Sequence, residues 1–109
     1  MVRRGECEAE INPGSGAIRL LLRSGLMECM LVEVEAGKEI PMEYSHPGEE
    51  LRLVLEGEIE VEVEGERHLL RRGDFMWFDS SQKHRIRNPG RVRAVYFSAN
   101  TPPAMRWEG

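Results

Sequence analysis

Between Gly57 and Gly65 the chain alternates charge and branched aliphatic without a break: Glu58, Ile59, Glu60, Val61, Glu62, Val63, Glu64. Successive side chains of an extended strand point to opposite faces, so the pattern sorts into one wet face and one core face only as a strand. Four like charges on one face need opposite charges beside them, and arginines on neighbouring strands are the natural supply. The acidic face is read as solvated sheet with cross-strand ion pairs, in preference to an acidic binding patch.

Strand signals of the same kind fill most of the chain. Residues 17–23, 26–35, 66–72 and 91–99 read as strands, and another runs from near Glu50 towards Gly57. Residues 83–87 alternate with His84 and Ile86 on one face and Lys83, Arg85 and Arg87 on the other. Phe75-Met76-Trp77-Phe78 is apolar on both faces, so one face meets the core and the other meets something else. The expectation is a homodimer through Phe75, Trp77 and an open edge at Ala17–Leu22. Residues 1–16 are polar and end in Asn12-Pro13-Gly14-Ser15-Gly16, an N-terminal extension ahead of a domain over 17–109. About eight short strands, turn signals every roughly 8–12 residues and no useful helical period indicate an all-β sandwich or barrel, with a jelly roll the best fit.

Composition narrows the function classes. The 109 residues suffice for one domain with a real core. The net charge of −4 argues against nucleic-acid binding. No apolar run approaches the roughly 20 residues of a membrane helix and no secretory signal opens the chain, so cytoplasm is the expected location. Of the 19 acids 17 are Glu, of the 15 bases 13 are Arg, and amides are few, a thermophile-like bias. Cys7 and Cys29 lack metal-ligand spacing and read as reduced thiols, with a disulfide left open and Cys29 half-buried in a strand.

The chemistry concentrates in two stretches, Gly37–Gly57 and Gly73–Asn88. His46 and Glu50 flank a Pro47-Gly48 turn, so one strand ending at His46 and the next starting near Glu50 can aim both side chains at the same interior. His84 shares its face with the core residue Ile86. Two imidazoles and one carboxylate converging in a small barrel make a metal site. Taken singly, the bland readings prevail: a turn histidine, a glutamate paired with Arg52 or Arg85, a satisfied core histidine. Joint spacing lifts the three together. His68 is read as structural, and Glu43 and Glu49 only as backup ligands.

These stretches resemble the two motifs of the cupin superfamily, G-x5-H-x-H-x3,4-E-x6-G and G-x5-P-x-G-x2-H-x3-N. Gly37 opens the first, His46 stands at its second histidine, Glu50 at the glutamate and Gly57 at the closing glycine. Tyr44 occupies the first histidine, with one extra residue before it. Gly73, His84 and Asn88 match the second motif, while Asp79 and Ser81 replace its proline and glycine. The resemblance implies a double-stranded β-helix barrel holding a divalent metal on the motif residues. The segment HPGEELRLVLEGEIEV and the ending SANTPPA are most similar to the small-molecule-sensing cupin domain of some helix-turn-helix repressors.

His46, Glu50 and His84 form the donor set of 2-His-1-carboxylate iron sites, and zinc accepts the same set; manganese and nickel stay open. At Tyr44 three outcomes are open: a phenolate ligand, a hydrogen bonder facing the cavity, or a site that has lost its metal. Met42, Met76, Phe78 and Ile86 are expected to line the cavity. Two functions follow: a module that binds or senses a small molecule, or a metal-dependent enzyme, dioxygenase-like or isomerase-like, on a small organic substrate. The first is preferred, because the sequence shows no second catalytic group beside Glu50.

Overall fold

The structure, a computed structural model, describes residue 3 and residues 6–40 and 44–105. Among the described residues nine strands follow in order: β1 (Ala9–Ile11), β2 (Gly16–Arg23), β3 (Glu28–Val34), β4 (Glu49–Glu56), β5 (Glu58–Val63), β6 (Glu66–Arg71), β7 (Phe75–Asp79), β8 (His84–Arg87) and β9 (Ala94–Thr101). They form two antiparallel sheets, one ordered β1-β2-β3-β9-β4-β7 and the other β6-β5-β8. Lys38–Ile40 and Tyr44–His46 lie beside β8 and the turn before it, with bridges at Glu39–Arg87 and Tyr44–His84. The two sheets face each other across an apolar core of Val34, Val54, Ile59, Val61, Ile86 and Ala94, each almost fully buried. This is the all-β, double-stranded β-helix barrel expected.

The alternation after Gly57 does what its period requires. Ile59, Val61 and Val63 point into the core from β5, and the acids of the other face meet arginines on both flanking strands. Glu60 receives Arg87 at 3.1 Å and lies 3.7 Å from Arg67, while Glu58 lies 3.9 Å from Arg71. The expected cross-strand ion pairs are present.

Three details differ from the sequence reading. Ala9–Ile11 pairs with β2, so the polar leader contributes a short strand, and Ala17–Leu22 is not an open edge. Three residues are too few to show a period, which is why β1 was not visible. The last strand begins at Ala94 instead of Arg91, because the Asn88 side chain organises the turn before it. Its amide donates to the Val34 and Val92 carbonyls, and its oxygen accepts from the Gly90 backbone N–H. As expected, Cys7 and Cys29 are free thiols, Cys29 half-buried on β3.

Candidate metal centre

The turn between His46 and Glu50 sets the site. Gly48 has φ +109°, and a Cβ there would collide with the Thr101 carbonyl oxygen, so only glycine lets the turn lie against the end of β9. His46 is tied to the second stretch by its backbone N–H, which donates to the Ser80 carbonyl at 2.9 Å. Glu50 then enters β4 facing inward, and His84 enters β8 opposite Tyr44. One nitrogen from each imidazole and one Glu50 oxygen all lie within 4.8 Å of one another.

The donor geometry fits a metal. His84 Nδ1–H donates to the Gln82 carbonyl at 2.8 Å, which leaves Nε2 as an unprotonated lone pair. That lone pair faces Glu50 Oε1 at 3.6 Å, two acceptors aimed at the same space. His46 Nε2 lies 3.2 Å from the same oxygen. Donors bonded at about 2.0–2.2 Å to one tetrahedral ion stand about 3.3–3.6 Å apart, so the 3.6 Å separation falls at the upper limit of that range and the 3.2 Å one just below it. His84 is the better prepared ligand. His46 Nδ1 is buried with no partner among the described residues, so coordination through its Nε2 would move the proton to Nδ1.

Charge around the site is set by Arg52, which the sequence offered only as a possible partner of Glu50. Arg52, two positions along β4, is 4% exposed and points inward beside Glu50. Its Nε donates to Glu50 Oε2 at 2.7 Å, Nη2 lies 2.7 Å from the same oxygen, and Ser98 Oγ–H donates to it at 3.3 Å. The Phe78 and Tyr96 rings flank the guanidinium at 5.3 and 5.2 Å. Arginine therefore takes one carboxylate oxygen and leaves the other towards the histidines. Burial pushes the Glu50 carboxyl up, but Arg52, with help from His46 and His84, outweighs it and holds the pKa down at about 2. Burial lowers the His84 pKa, so its imidazole is neutral and available at neutral pH. Burial raises Tyr44 above the ordinary phenol value and pushes Tyr96 up to about 12, so both are protonated phenols.

The donors stand at one end of a cavity of about 680 Å³, within the size range of small-molecule sites. Tyr44, Ser45, Tyr96, Ser98 and Asn100 continue its polar end, and Ile18, Met30, Val32, Ile40 and Ile86 form apolar wall. Ile11, Ala104 and Met105 also border it. The last two are held by Glu28, a fully buried carboxylate that accepts their backbone N–H groups at 3.0 and 2.9 Å.

The expected site residues separate into three groups. His46, Glu50 and His84 come together, and Tyr44 stacks on His84 with ring centroids 6.0 Å apart. Ile86 lines the cavity as expected. Met76 and Phe78 pack behind it instead: Phe78 meets the edge of His84 at 4.9 Å, and Met76 packs against the core cluster. The reason is their place on β7, the sheet-edge strand, which brings them up behind Arg52 and His84. Met42 and Glu43 lie outside the described residues, Glu49 is exposed, and His68 stands away from the site with Glu66 at 3.8 Å. Tyr96, Ser98 and Asn100 were missed, while Arg52 was foreseen only as a possible partner of Glu50, and that pair is present.

The chain matches the cupin domain family over residues 30–102. No curated protein matches it. Among solved structures it is similar to KdgF from Halomonas sp. (TM-score 0.82, 16% identity, covering 95% of this chain and 94% of that one). It is also similar to an RmlC-like cupin from Shewanella frigidimarina (TM-score 0.79, 19% identity, 93% and 88%). A third likeness is to the Cupin_2 domain of an XRE-family transcriptional regulator from Enterobacter cloacae (TM-score 0.74, 19% identity, 83% and 99%).

Proposed function

The chain belongs to the cupin domain family, and from that premise we propose that it is a metal-binding barrel whose cavity captures a small molecule, as a binding or sensing module. One observation carries the reading. The His84 Nε2 lone pair and the ionised Glu50 Oε1 face each other at 3.6 Å, two acceptors that a cation between them would satisfy together. His46, Glu50 and His84 would hold a divalent ion, zinc, iron, manganese or nickel, and the ion would supply a Lewis-acidic charge to an oxygen of the ligand. Tyr44, protonated beside His84, serves as a hydrogen bonder to the ligand. The apolar wall excludes water and binds the ligand's body.

The same fold forms a domain of a transcriptional regulator in Enterobacter cloacae, which supports a sensing role for a barrel of this size. The alternative is a metal-dependent enzyme, dioxygenase-like or isomerase-like, and one feature favours it: three protein donors leave coordination positions facing the cavity. Elemental analysis of protein purified without a nickel-binding tag tests the reading. Near one zinc, manganese or nickel per chain supports capture; redox-active iron with oxygen-dependent turnover of a bound compound would select the enzyme; absence of any divalent metal contradicts both.

We also propose a homodimer through the outer face of the larger sheet. There Leu51 stands opposite Trp77 and Leu53 opposite Phe75 across β4 and β7, and Leu53 and Leu31 both stand opposite Phe97 on β9. Phe75 and Trp77 are 61% and 56% exposed at the sheet edge. An apolar face of this width needs cover, and a second copy related by a two-fold axis supplies the same face in return. A species of about 12.5 kDa in sedimentation at tens of micromolar would contradict it.

A further inference from the structure

Arg52 changes what the cavity can accept. In a shell of two neutral imidazoles and one carboxylate, the carboxylate cancels half the charge of a divalent ion. Here Glu50 Oε2 is already engaged by the guanidinium, with Nε and Nη2 both at 2.7 Å. The pair is buried, and Arg52 and Glu50 both line the cavity. Charge at this end therefore sums to that of the ion alone, about two units; the rest of the chamber is lined by neutral polar and aliphatic side chains and by Glu10, which pairs with Arg19 at 3.5 Å. Arg52 Nη1 adds a buried donor with no acceptor among the described residues. A buried ion pair returns little net stability compared with apolar residues of equal volume, so packing alone does not account for it.

We propose that Arg52 is a specificity-determining residue that commits the cavity to a small carboxylate with an apolar body. The carboxylate head meets the metal end, beside Tyr44 and Arg52, and the body lies along Ile18, Val32, Ile40 and Ile86. The inference rests on the metal reading above and deepens it by naming the ligand's charge and shape. Neutral analogues of the same shape leave the excess positive charge uncompensated in a low-dielectric site, and they bind more weakly.

The test uses the whole chain loaded with cobalt(II), whose visible spectrum reports a change in its ligands. Hexanoate and benzoate are titrated against hexanamide and benzamide, followed by calorimetry and by that spectrum. A unit charge felt at about 6 Å with an effective dielectric of about 20 corresponds to roughly a hundredfold in affinity. Partial desolvation of the carboxylate reduces this, and the expected preference for acid over amide is at least about tenfold. Arg52→Met should bring the preference down to about threefold or less with cobalt still bound, whereas Arg52→Lys, which keeps the charge, should retain most of it. Equal affinity of acid and amide for the wild-type protein overturns the proposal even if Arg52→Met does not fold, and so does an unchanged preference in a folded Arg52→Met. Failure to bind cobalt at all overturns the metal reading and this inference together, whereas bound cobalt without acid preference overturns the inference alone.

Discussion

Strands β4 and β5 are neighbours in sequence, joined through Gly57, and both alternate, yet over Glu50–Leu53 the polarity of β4 is opposite to that of β5. β5 puts Ile59, Val61 and Val63 inside and its glutamates outside among arginines. β4 puts Glu50 and Arg52 inside and Leu51, Leu53 and Leu55 outside. Burying charge costs free energy unless it is paired, and exposing leucines leaves apolar area in water. The ordinary strand holds the barrel together. The inverted strand bears the function, with its charges at a site and its leucines on a face that wants cover.

The largest effects should separate the two sets of glutamates. Glu50→Ala leaves the Arg52 guanidinium buried without its partner and should cost about 3–5 kcal/mol in urea unfolding. Glu60→Ala removes only a surface pair of β5 and should cost less than about 1 kcal/mol. Equal costs would erase the distinction. On the apolar side, Ile59→Ala in the β5 core should cost about 2–4 kcal/mol. Leu53→Ala on the outer face of β4 should cost well under half of that in the monomer, its effect appearing as weaker self-association.

Acid should act through the inverted strand as well. Glu50 is held at about 2 in the folded protein against an ordinary value near 4.5, and burial depresses His84. Both groups bind protons more readily in the unfolded chain, so stability falls as pH falls. The His84 part is lost below about pH 6.5 and the Glu50 part between about pH 4.5 and 2. Glu50→Gln should flatten the lower limb of the stability curve; an unchanged limb would show that Glu50 is not the group concerned. The smallest effect on the fold belongs to Trp77→Glu, which should halve the mass in sedimentation while shifting monomer stability by about 0.5 kcal/mol or less.

What the sequence disclosed follows the reach of each signal. Period-two alternation acts within one strand, and it was enough for β5, for the inward placement of His84 and for the outward Phe75 and Trp77. Motif spacing brought His46, Glu50 and His84 together across a gap that no local pattern spans. Arg52 shares parity with Glu50 and was legible to that extent. Its pairing with Glu50 was one reading among others, and its burial was not legible, because strand parity gives the face and not whether an arginine is buried or stretched into solvent. Tyr96, Ser98 and Asn100 enter the site only because β9 pairs with β4, a contact between segments some 45 residues apart. Nothing in RVRAVYFSA announces that pairing. Phe78 faces inward as expected, but its depth behind His84 depends on where the edge strand sits.

Metal binding depends on the two facing acceptors, His84 Nε2 and Glu50 Oε1, in the cavity. Zinc titration by calorimetry, run side by side on the wild-type chain and on His84→Ala with circular dichroism to confirm the barrel, addresses them directly. The expected result is one site per wild-type chain and loss of at least about a hundredfold in affinity in a folded His84→Ala, equivalent to roughly 3 kcal/mol. Equal zinc binding by the two proteins, or no site in the wild type, would contradict it.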